Sequence, residues 1–88
     1  MKYPQTVEDA VSRLKKEISQ EDLQWIKKIK KDKLIMLHHS LGRCIRNEYG
    51  LWGKNEALLR SCNGGFKSDH PDDASFVIIE KLWDDLQK

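Results

Sequence analysis

Apolar residues near the C-terminus recur at every third or fourth position, and this spacing constrains the fold of the chain more than any other feature. The stripe consists of Ser75 followed by Ile78, Ile79, Leu82, Trp83 and Leu86. An α-helix has about 3.6 residues per turn, so positions three and four apart share one face that can be buried. Pro71 suits the first position of such a helix, and Asp72 and Asp73 suit its positive end. The sequence therefore predicts a helix that begins near residue 71.

Cap residues place four more helices upstream. Thr6 and Ser19 each stand where a hydroxyl can accept a hydrogen bond from the first turn of a helix. Asp32 is expected to cap a third helix, the longest, which ends at Gly50 where a left-handed residue is needed. The apolar face of this helix contains Leu34, Leu37, Leu41, Cys44 and Ile45. Asn55 is expected to cap a short fourth helix.

The fold class follows from the absence of any competing pattern. No segment of useful length alternates between apolar and polar residues with the period of two that strands require. A chain of 88 residues has room for one core. We therefore predict an all-α fold, with a single small domain over residues 1–88 and a core over residues 6–87. It should contain four to five short helices, the third and fifth forming the central packed pair.

Two polar clusters, at residues 38–47 and 70–75, interrupt the helical pattern and contain all three histidines of the chain. Polar groups near a small core must be paired there or used for a function. Gly42 costs up to about 1 kcal/mol relative to Ala inside a helix, which indicates that a neighbour approaches its backbone. Arg46 beside that contact needs a carboxylate. Of the two aspartates that begin the fifth helix, Asp72 is expected to face Arg46.

Three interpretations of these clusters remain open at this stage. The candidate residues are His38, Arg46, Asn47, His70, Asp72, Asp73 and Ser75. The first interpretation is a buried network that joins the helices. The second is a small enzyme or ligand-binding site with His38 or His70 as a base oriented by an aspartate, although no serine has the context of a nucleophile. The third is an anion site at the start of the fifth helix, where Asp72 and Asp73 would repel the anion. No catalytic residue is assigned.

Neither a metal nor a cofactor is expected. Adjacent histidines such as His38 and His39 point about 100° apart on a helix and rarely bind one ion together, and no HExxH motif is present. The two cysteines, Cys44 and Cys62, lack the spacing of a zinc site. The sequence has few cysteines, no signal-type segment near its start, and apolar runs too short to span a bilayer. Together these features predict a reduced, cytoplasmic chain with no membrane association.

Five lysines form the main concentration of positive charge in a chain whose formal net charge is +2. They are Lys27, Lys28, Lys30, Lys31 and Lys33. Without an accompanying arginine or glycine-rich loop, they are better explained as cations at the C-terminal end of the second helix than as a phosphate-binding surface. Binding to nucleic acid is therefore not expected.

Several short motifs recur in a fixed order along the chain. They are Leu41-Gly42, Ile45-Arg46-Asn47, Gly50-Leu51-Trp52, and His70-Pro71-Asp72-Asp73 followed by Ser75. This pattern resembles a family of small bacterial helical domains of unknown function, over residues 6–86. The preceding His38 also fits the family, whereas His39 stands where an aromatic residue is usual, which argues against His39 as a shared ligand. The resemblance implies a bacterial origin and a shared helical fold, and it implies no activity.

The predicted function is a non-enzymatic protein-interaction or regulatory module in the bacterial cytoplasm. The sequence lacks a nucleophile motif, a cofactor loop and a metal spacing, whereas Phe76 and Trp83 form a candidate partner surface on the last helix. Packing of these two aromatics against the segment around Tyr3 is an equal alternative. The partner is expected to be another protein or a second copy of the chain. The competing prediction is a small enzyme or ligand-binding protein that uses the polar cluster.

Overall fold

A computed structural model of the chain describes residues 3–51, 55–62 and 71–88. These residues form five α-helices and one 3-10 helix, and none of them lies in a strand. The elements are α1 (Val7–Glu17), α2 (Gln20–Lys28), the 3-10 helix (Lys31–Leu37), α3 (Leu41–Glu48), α4 (Glu56–Cys62) and α5 (Pro71–Leu86). The all-α fold predicted from the sequence is confirmed.

The predicted caps of three helices are confirmed by hydrogen bonds. The Thr6 hydroxyl accepts from the Asp9 amide at 3.1 Å, and the Ser19 hydroxyl accepts from the Asp22 amide at 3.2 Å. At α4, the Asn55 side-chain oxygen accepts from the Leu58 amide at 3.3 Å. Each cap satisfies a backbone donor that has no partner within its own helix, which fixes where the helix begins.

The predicted long third helix is wrong in its start and its continuity. The segment divides into the 3-10 helix and α3, separated by a turn at residues 38–40, where Ser40 leaves helical geometry with ψ of −85°. Lys30 rather than Asp32 precedes the first part, and it makes no side-chain cap. Leu34 and Leu37 are both buried, and their spacing of three matches the three residues per turn of a 3-10 helix. The longest helix is α5, with 16 residues.

The end of α3 is as predicted. Gly50 adopts a left-handed conformation with φ of +70°, and the Leu51 amide donates to the Arg46 carbonyl at 3.1 Å. This bond is the long one of a Schellman motif, which satisfies a carbonyl in the last turn of the helix. A side chain at position 50 would also collide with the ring of Tyr3, 3.0 Å away. The N-terminal segment thus packs across the end of α3.

Helix α5 is the centre of the core, and the other elements pack around it. Ile78, Ile79 and Leu82 are fully buried. The predicted packing of α3 against α5 is present, and α1, α2, α4 and the 3-10 helix contact α5 as well. At its C-terminal end, the Trp83 indole donates to the Ile29 carbonyl at 2.7 Å, and the Gln87 side chain donates to the Lys27 carbonyl at 3.0 Å. These bonds hold the end of α2 against α5.

The N-terminal segment is held by buried polar contacts to α4 and to the residue before it. The Asn55 amide nitrogen donates to the Pro4 carbonyl at 2.7 Å and to the Tyr49 carbonyl at 2.9 Å. The Ser61 hydroxyl accepts from the Val7 amide at 2.9 Å. Besides capping α4, Asn55 therefore joins two other parts of the chain, the N-terminal segment and the end of α3. In the part of the chain that the structure describes, every helix is too short or too polar to cross a membrane.

Candidate functional site

A charged side chain is buried where α3 meets α5. Arg46 is only 6% exposed, and its Nη1 donates to the hydroxyl of the fully buried Ser75 at 3.1 Å. Its Nη2 donates to the main-chain carbonyl of His38 at 3.3 Å. We call these groups the polar seam: Gly42, Arg46, Ser75 and the His38 carbonyl. Two of the residues singled out from the sequence, Arg46 and Ser75, thus meet directly.

The seam explains how the chain tolerates the break before α3. The carbonyl groups that end a helix lack partners within it and need donors from elsewhere. Arg46 reaches back across α3 to the carbonyl of His38, which lies just after the 3-10 helix. A cationic donor at this position also suits the negative end of the helix dipole. Arg46 therefore joins three elements: the 3-10 helix, α3 and α5.

Gly42 provides the space that the guanidinium occupies. A Cβ atom at position 42 would lie 3.1 Å from Arg46 Nη1, 3.4 Å from the Leu37 carbonyl oxygen and 3.6 Å from Ile79 Cδ1. The close approach predicted from the glycine is therefore present, and the nearest neighbour is an arginine of the same helix. A methyl group there would force the guanidinium to shift by a few tenths of an ångström.

The remaining cluster residues occupy different environments. His38 is half-buried, and its ring meets the ring of His39 edge to face at 4.9 Å. Asn47 is exposed on α3. His70 and the side chains of Asp72 and Asp73 lie outside the described residues, so the expected Arg46–Asp72 contact stays a prediction. Among the residues that are described, no group of three His, Cys, Asp or Glu side chains could hold a metal ion.

Phe76 and Trp83, the candidate partner surface, are both partly buried and pack against the core. The indole nitrogen of Trp83 is engaged by the Ile29 carbonyl. Apolar side chains that are more exposed than these two occur elsewhere: Trp25 is 55% exposed, Ile35 60% and Met36 56%. The sequence patterns gave no indication that these three residues form a surface.

Trp25 borders an apolar groove between α2 and α3. The groove encloses about 380 Å³. Its lining residues are Ile18, Asp22, Trp25, Ile26, Leu37, Ser40, Leu41 and Cys44. Both helices also pack against α5. One sequence signal could have revealed the groove: Leu23 and Ile26 form the buried stripe of α2, which leaves Trp25 on the exposed side.

A second cavity, of about 440 Å³, lies between the N-terminal segment and α1. It is lined by Tyr3, Pro4, Gln5, Asp9, Ser12, Arg13 and Lys16. Near it, the Arg13 guanidinium lies 5.9 Å from the ring centre of Tyr49. With Asp9 opposing two cations, this cavity has no uniform charge or apolar lining to favour a class of ligand.

Tyr49 is the second unusual buried polar group. Its hydroxyl is buried without a hydrogen-bond partner among the described residues. Burial raises the pKa of the phenol well above its ordinary value, and the nearby carboxylates of Glu17 and Glu48 raise it further while Arg13 acts in the opposite direction. Tyr49 is therefore protonated at neutral pH, where it can act only as a neutral group.

A comparison with protein-family models identifies the family. The chain matches the model of the family described as a domain of unknown function (DUF6794) over residues 3–86, and it belongs to that family. The resemblance inferred from the sequence motifs, to a domain family of unknown function, is confirmed. A search of curated proteins and a search of solved structures each found no match.

Proposed function

We propose that this chain is a non-enzymatic protein-interaction module whose binding surface is the groove between α2 and α3. The observation that carries the proposal is the exposure of Trp25 beside a cavity lined mainly by apolar side chains. A tryptophan in such a position keeps apolar surface in contact with water that a partner would bury. Aromatic residues are also typical anchors of interfaces. Burial of this surface against a partner would therefore favour association.

The state of the polar cluster supports this proposal over the competing one. An enzyme or ligand site built on the cluster needs polar groups that a small molecule can reach. Arg46 and Ser75 are buried, and the guanidinium donates to acceptors of the protein itself. The two cavities described above are lined by other residues. A thermal-shift screen that found a small molecule whose binding is lost in Asn47→Ala, on the exposed edge of the cluster, would favour the competitor.

Site-specific photo-crosslinking in cells tests the interaction function. A photoreactive phenylalanine analogue would replace Trp25, and the matched control would carry it at Arg60 on α4, whose side chain is 57% exposed. We expect one discrete crosslinked protein from position 25 and none from position 60. When a lysate is irradiated after purified wild-type chain has been added, the product should be suppressed, and added Trp25→Ala should not suppress it. Crosslinking from position 60 alone would refute the groove as the binding surface.

The compartment is part of the same proposal: we place the module in the bacterial cytoplasm. Cys44 is a free, exposed thiol, which is usual in reducing compartments and uncommon in oxidising ones. Alkylation of intact host cells, followed by mass spectrometry of the Cys44 peptide, should find this cysteine reduced. A stable disulfide at Cys44 in cells would contradict the assignment.

The lysines are not proposed to bind nucleic acid. Lys27 and Lys28 lie in the last turn of α2, where cations stabilise the helix dipole. If they bound phosphates, affinity for DNA or RNA would fall steeply between about 50 and 200 mM salt. We expect no measurable binding at physiological salt. Tight, salt-sensitive binding that is lost on Lys27→Glu/Lys28→Glu would overturn this expectation.

A further inference from the structure

The 3-10 helix presents apolar and charged side chains together on its exposed faces. Side chains three residues apart in such a helix lie one above the other, so it has three faces. One face is the buried pair of leucines described above. Met36 follows Lys33 on the second face, and Ile35 follows Asp32 on the third. All four of these side chains are exposed, so the helix projects from the fold with one of its three faces covered.

Ile35 and Met36 are adjacent large apolar side chains that the fold leaves in water. Ile35 is 60% exposed and Met36 is 56% exposed. Neither of them lines the groove beside Trp25 or the cavity at the N-terminal segment. A partner that buries this pair therefore meets a projecting surface and does not enter a cavity.

Five exposed lysines lie around the start of the same helix. They are Lys27, Lys28, Lys30, Lys31 and Lys33. None of them forms an ion pair with a described residue. We call the five lysines together with Ile35 and Met36 the lysine patch.

Acidic side chains do not neutralise the lysine patch. Asp32 lies within it. Asp84 of α5 lies between Trp83 and Gln87, the two residues that bond to the end of α2. Asp85, the next residue of α5, is already paired with lysines outside the patch. The five lysines outnumber Asp32 and Asp84 by three, so the surface keeps a positive charge.

We propose that the lysine patch docks on the anionic surface of a lipid bilayer. The lysines contact the lipid phosphates, while Ile35 and Met36 enter the boundary between the headgroups and the acyl chains. Lysines are attracted to the negative potential of such a surface, and apolar side chains add affinity as they leave water. This inference goes beyond the proposed function, because the lysine patch and the groove are different surfaces.

The proposal differs from the sequence expectation of no membrane association. That expectation rests on apolar runs that are too short to span a bilayer. A domain that lies on a membrane needs no such run, since only individual side chains enter the interface.

Two other classes of partner match the lysine patch less well. A stable protein interface buries roughly 800 Å² on each partner, and a projecting helix of seven residues offers two apolar side chains toward that area. A nucleic acid would leave Ile35 and Met36 against its phosphates, and the patch contains no aromatic side chain on which bases could stack. A bilayer is fluid, so isolated apolar side chains on a projecting surface can enter it.

Co-sedimentation of the full chain with lipid vesicles tests the proposal. Phosphatidylcholine vesicles that contain about 30% phosphatidylglycerol supply the anionic surface, and pure phosphatidylcholine vesicles are the neutral control. Wild type should bind the anionic vesicles, and this binding should weaken as salt is added. Binding to the neutral vesicles should be at least about tenfold weaker.

Two double variants separate the charge of the patch from its apolar contact. Lys30→Glu/Lys31→Glu should lower the partition coefficient on anionic vesicles at least about tenfold. The new glutamates would lie at the start of the 3-10 helix, where they suit its dipole. Ile35→Ser/Met36→Ser removes exposed apolar surface and should lower the coefficient at least about fivefold. Circular dichroism verifies that each variant is folded.

The matched control for net charge is Lys16→Glu/Arg60→Glu. Both side chains are exposed, and neither lies on α2 or the 3-10 helix. This variant has the same net charge as Lys30→Glu/Lys31→Glu. Its partition coefficient should stay within about threefold of wild type, because distant charges are screened by salt.

Four results would overturn the proposal. They are no binding of wild type to anionic vesicles, equal binding to neutral ones, full binding by both patch variants, and a loss in the control as large as that in Lys30→Glu/Lys31→Glu. Tight binding of a DNA duplex that this patch variant abolishes would assign the lysines to nucleic acid instead. The proposed function fails separately, because crosslinking from position 25 reports on the groove and vesicle binding reports on the patch.

Discussion

The polar seam and the groove depart from ordinary protein organisation in opposite ways. In the seam, the charged side chain of Arg46 is buried at the α3–α5 contact, where apolar residues are usual. In the groove, Trp25 is more than half exposed beside an apolar cavity. Two nitrogens of the Arg46 guanidinium donate to acceptors within the chain, whereas the groove's apolar surface is covered by no described part of it. The seam therefore concerns how the protein folds, and the groove concerns what the folded protein binds.

This contrast separates stability from association. If it is correct, changes in the seam lower the free energy of unfolding and leave association intact, whereas changes in the groove do the reverse. The following predictions are ordered by the size of their expected effect on stability.

Arg46→Ala should have the largest effect, a loss of about 2–4 kcal/mol, because it leaves the Ser75 hydroxyl and the His38 carbonyl without their buried donor and removes a packed side chain. Urea unfolding gives the value. The matched control is Arg43→Ala, which removes an exposed arginine of the same helix and should change stability by less than about 0.5 kcal/mol. Equal losses in the two variants would show that the seam contributes nothing specific.

Gly42→Ala should destabilise the wild-type chain by about 1 kcal/mol, although alanine favours helices over glycine by a similar amount. The added methyl would lie 3.1 Å from Arg46 Nη1 and displace the guanidinium. In an Arg46→Ala background that obstacle is gone, so the same change should become stabilising by up to about 1 kcal/mol. The double-mutant cycle is measured by urea unfolding. A Gly42→Ala effect with the same sign and size in both backgrounds would contradict the account of the glycine.

Trp25→Ala should change the free energy of unfolding of the monomer by less than about 1 kcal/mol, because the side chain is 55% exposed. Association should nevertheless be lost. Urea unfolding measures the first quantity, and failure of the purified variant to suppress the crosslinked product formed from position 25 measures the second. Ile35→Ala is the control, since Ile35 is 60% exposed but does not line the groove. A stability loss of several kcal/mol in Trp25→Ala would reassign this tryptophan to the core.

Tyr49→Phe should have the smallest effect at neutral pH, within about 0.5 kcal/mol, because the hydroxyl has no hydrogen-bond partner among the described residues. Burial raises the pKa of Tyr49 in the folded state above its ordinary value of 10.0. The folded state therefore holds this proton more tightly than the unfolded state, and the resulting stability is present below about pH 10 and lost as the pH rises further. The free energy of unfolding should fall less steeply between pH 8 and 11 in Tyr49→Phe than in wild type. The same pH dependence in both chains would contradict the raised pKa of Tyr49.

Local sequence patterns predicted most of the helices. The stripe of α5 and the caps at Thr6, Ser19 and Asn55 depend on neighbouring residues, and the structure has them where the sequence indicated. The break at residues 38–40 was missed because spacings of three and four fit either helix type. The break lies beside the hydrogen bond from Arg46 to the His38 carbonyl, and a main-chain acceptor of this kind has no sequence signature.

The two regions differ in how far the sequence revealed them. The glycine and arginine of α3 indicated a close polar contact with the start of α5, and Arg46 does meet Ser75 there. The groove was missed because its existence depends on the distance between α2 and α3, which no local pattern specifies. Phe76 and Trp83, which the sequence pattern indicated instead, are both partly buried because α5 is surrounded on several sides.

The division between the seam and the groove is tested most directly by competition, with purified wild type, Ser75→Ala or Trp25→Ala added to a lysate before the crosslink from position 25 is formed. Wild type should suppress the crosslinked product. Ser75→Ala, whose melting temperature should be about 4–8 °C lower because about 1 kcal/mol is lost with its buried hydroxyl, should suppress the product equally. Trp25→Ala should leave the product undiminished. Loss of competition in Ser75→Ala, or full competition by Trp25→Ala, would contradict the account.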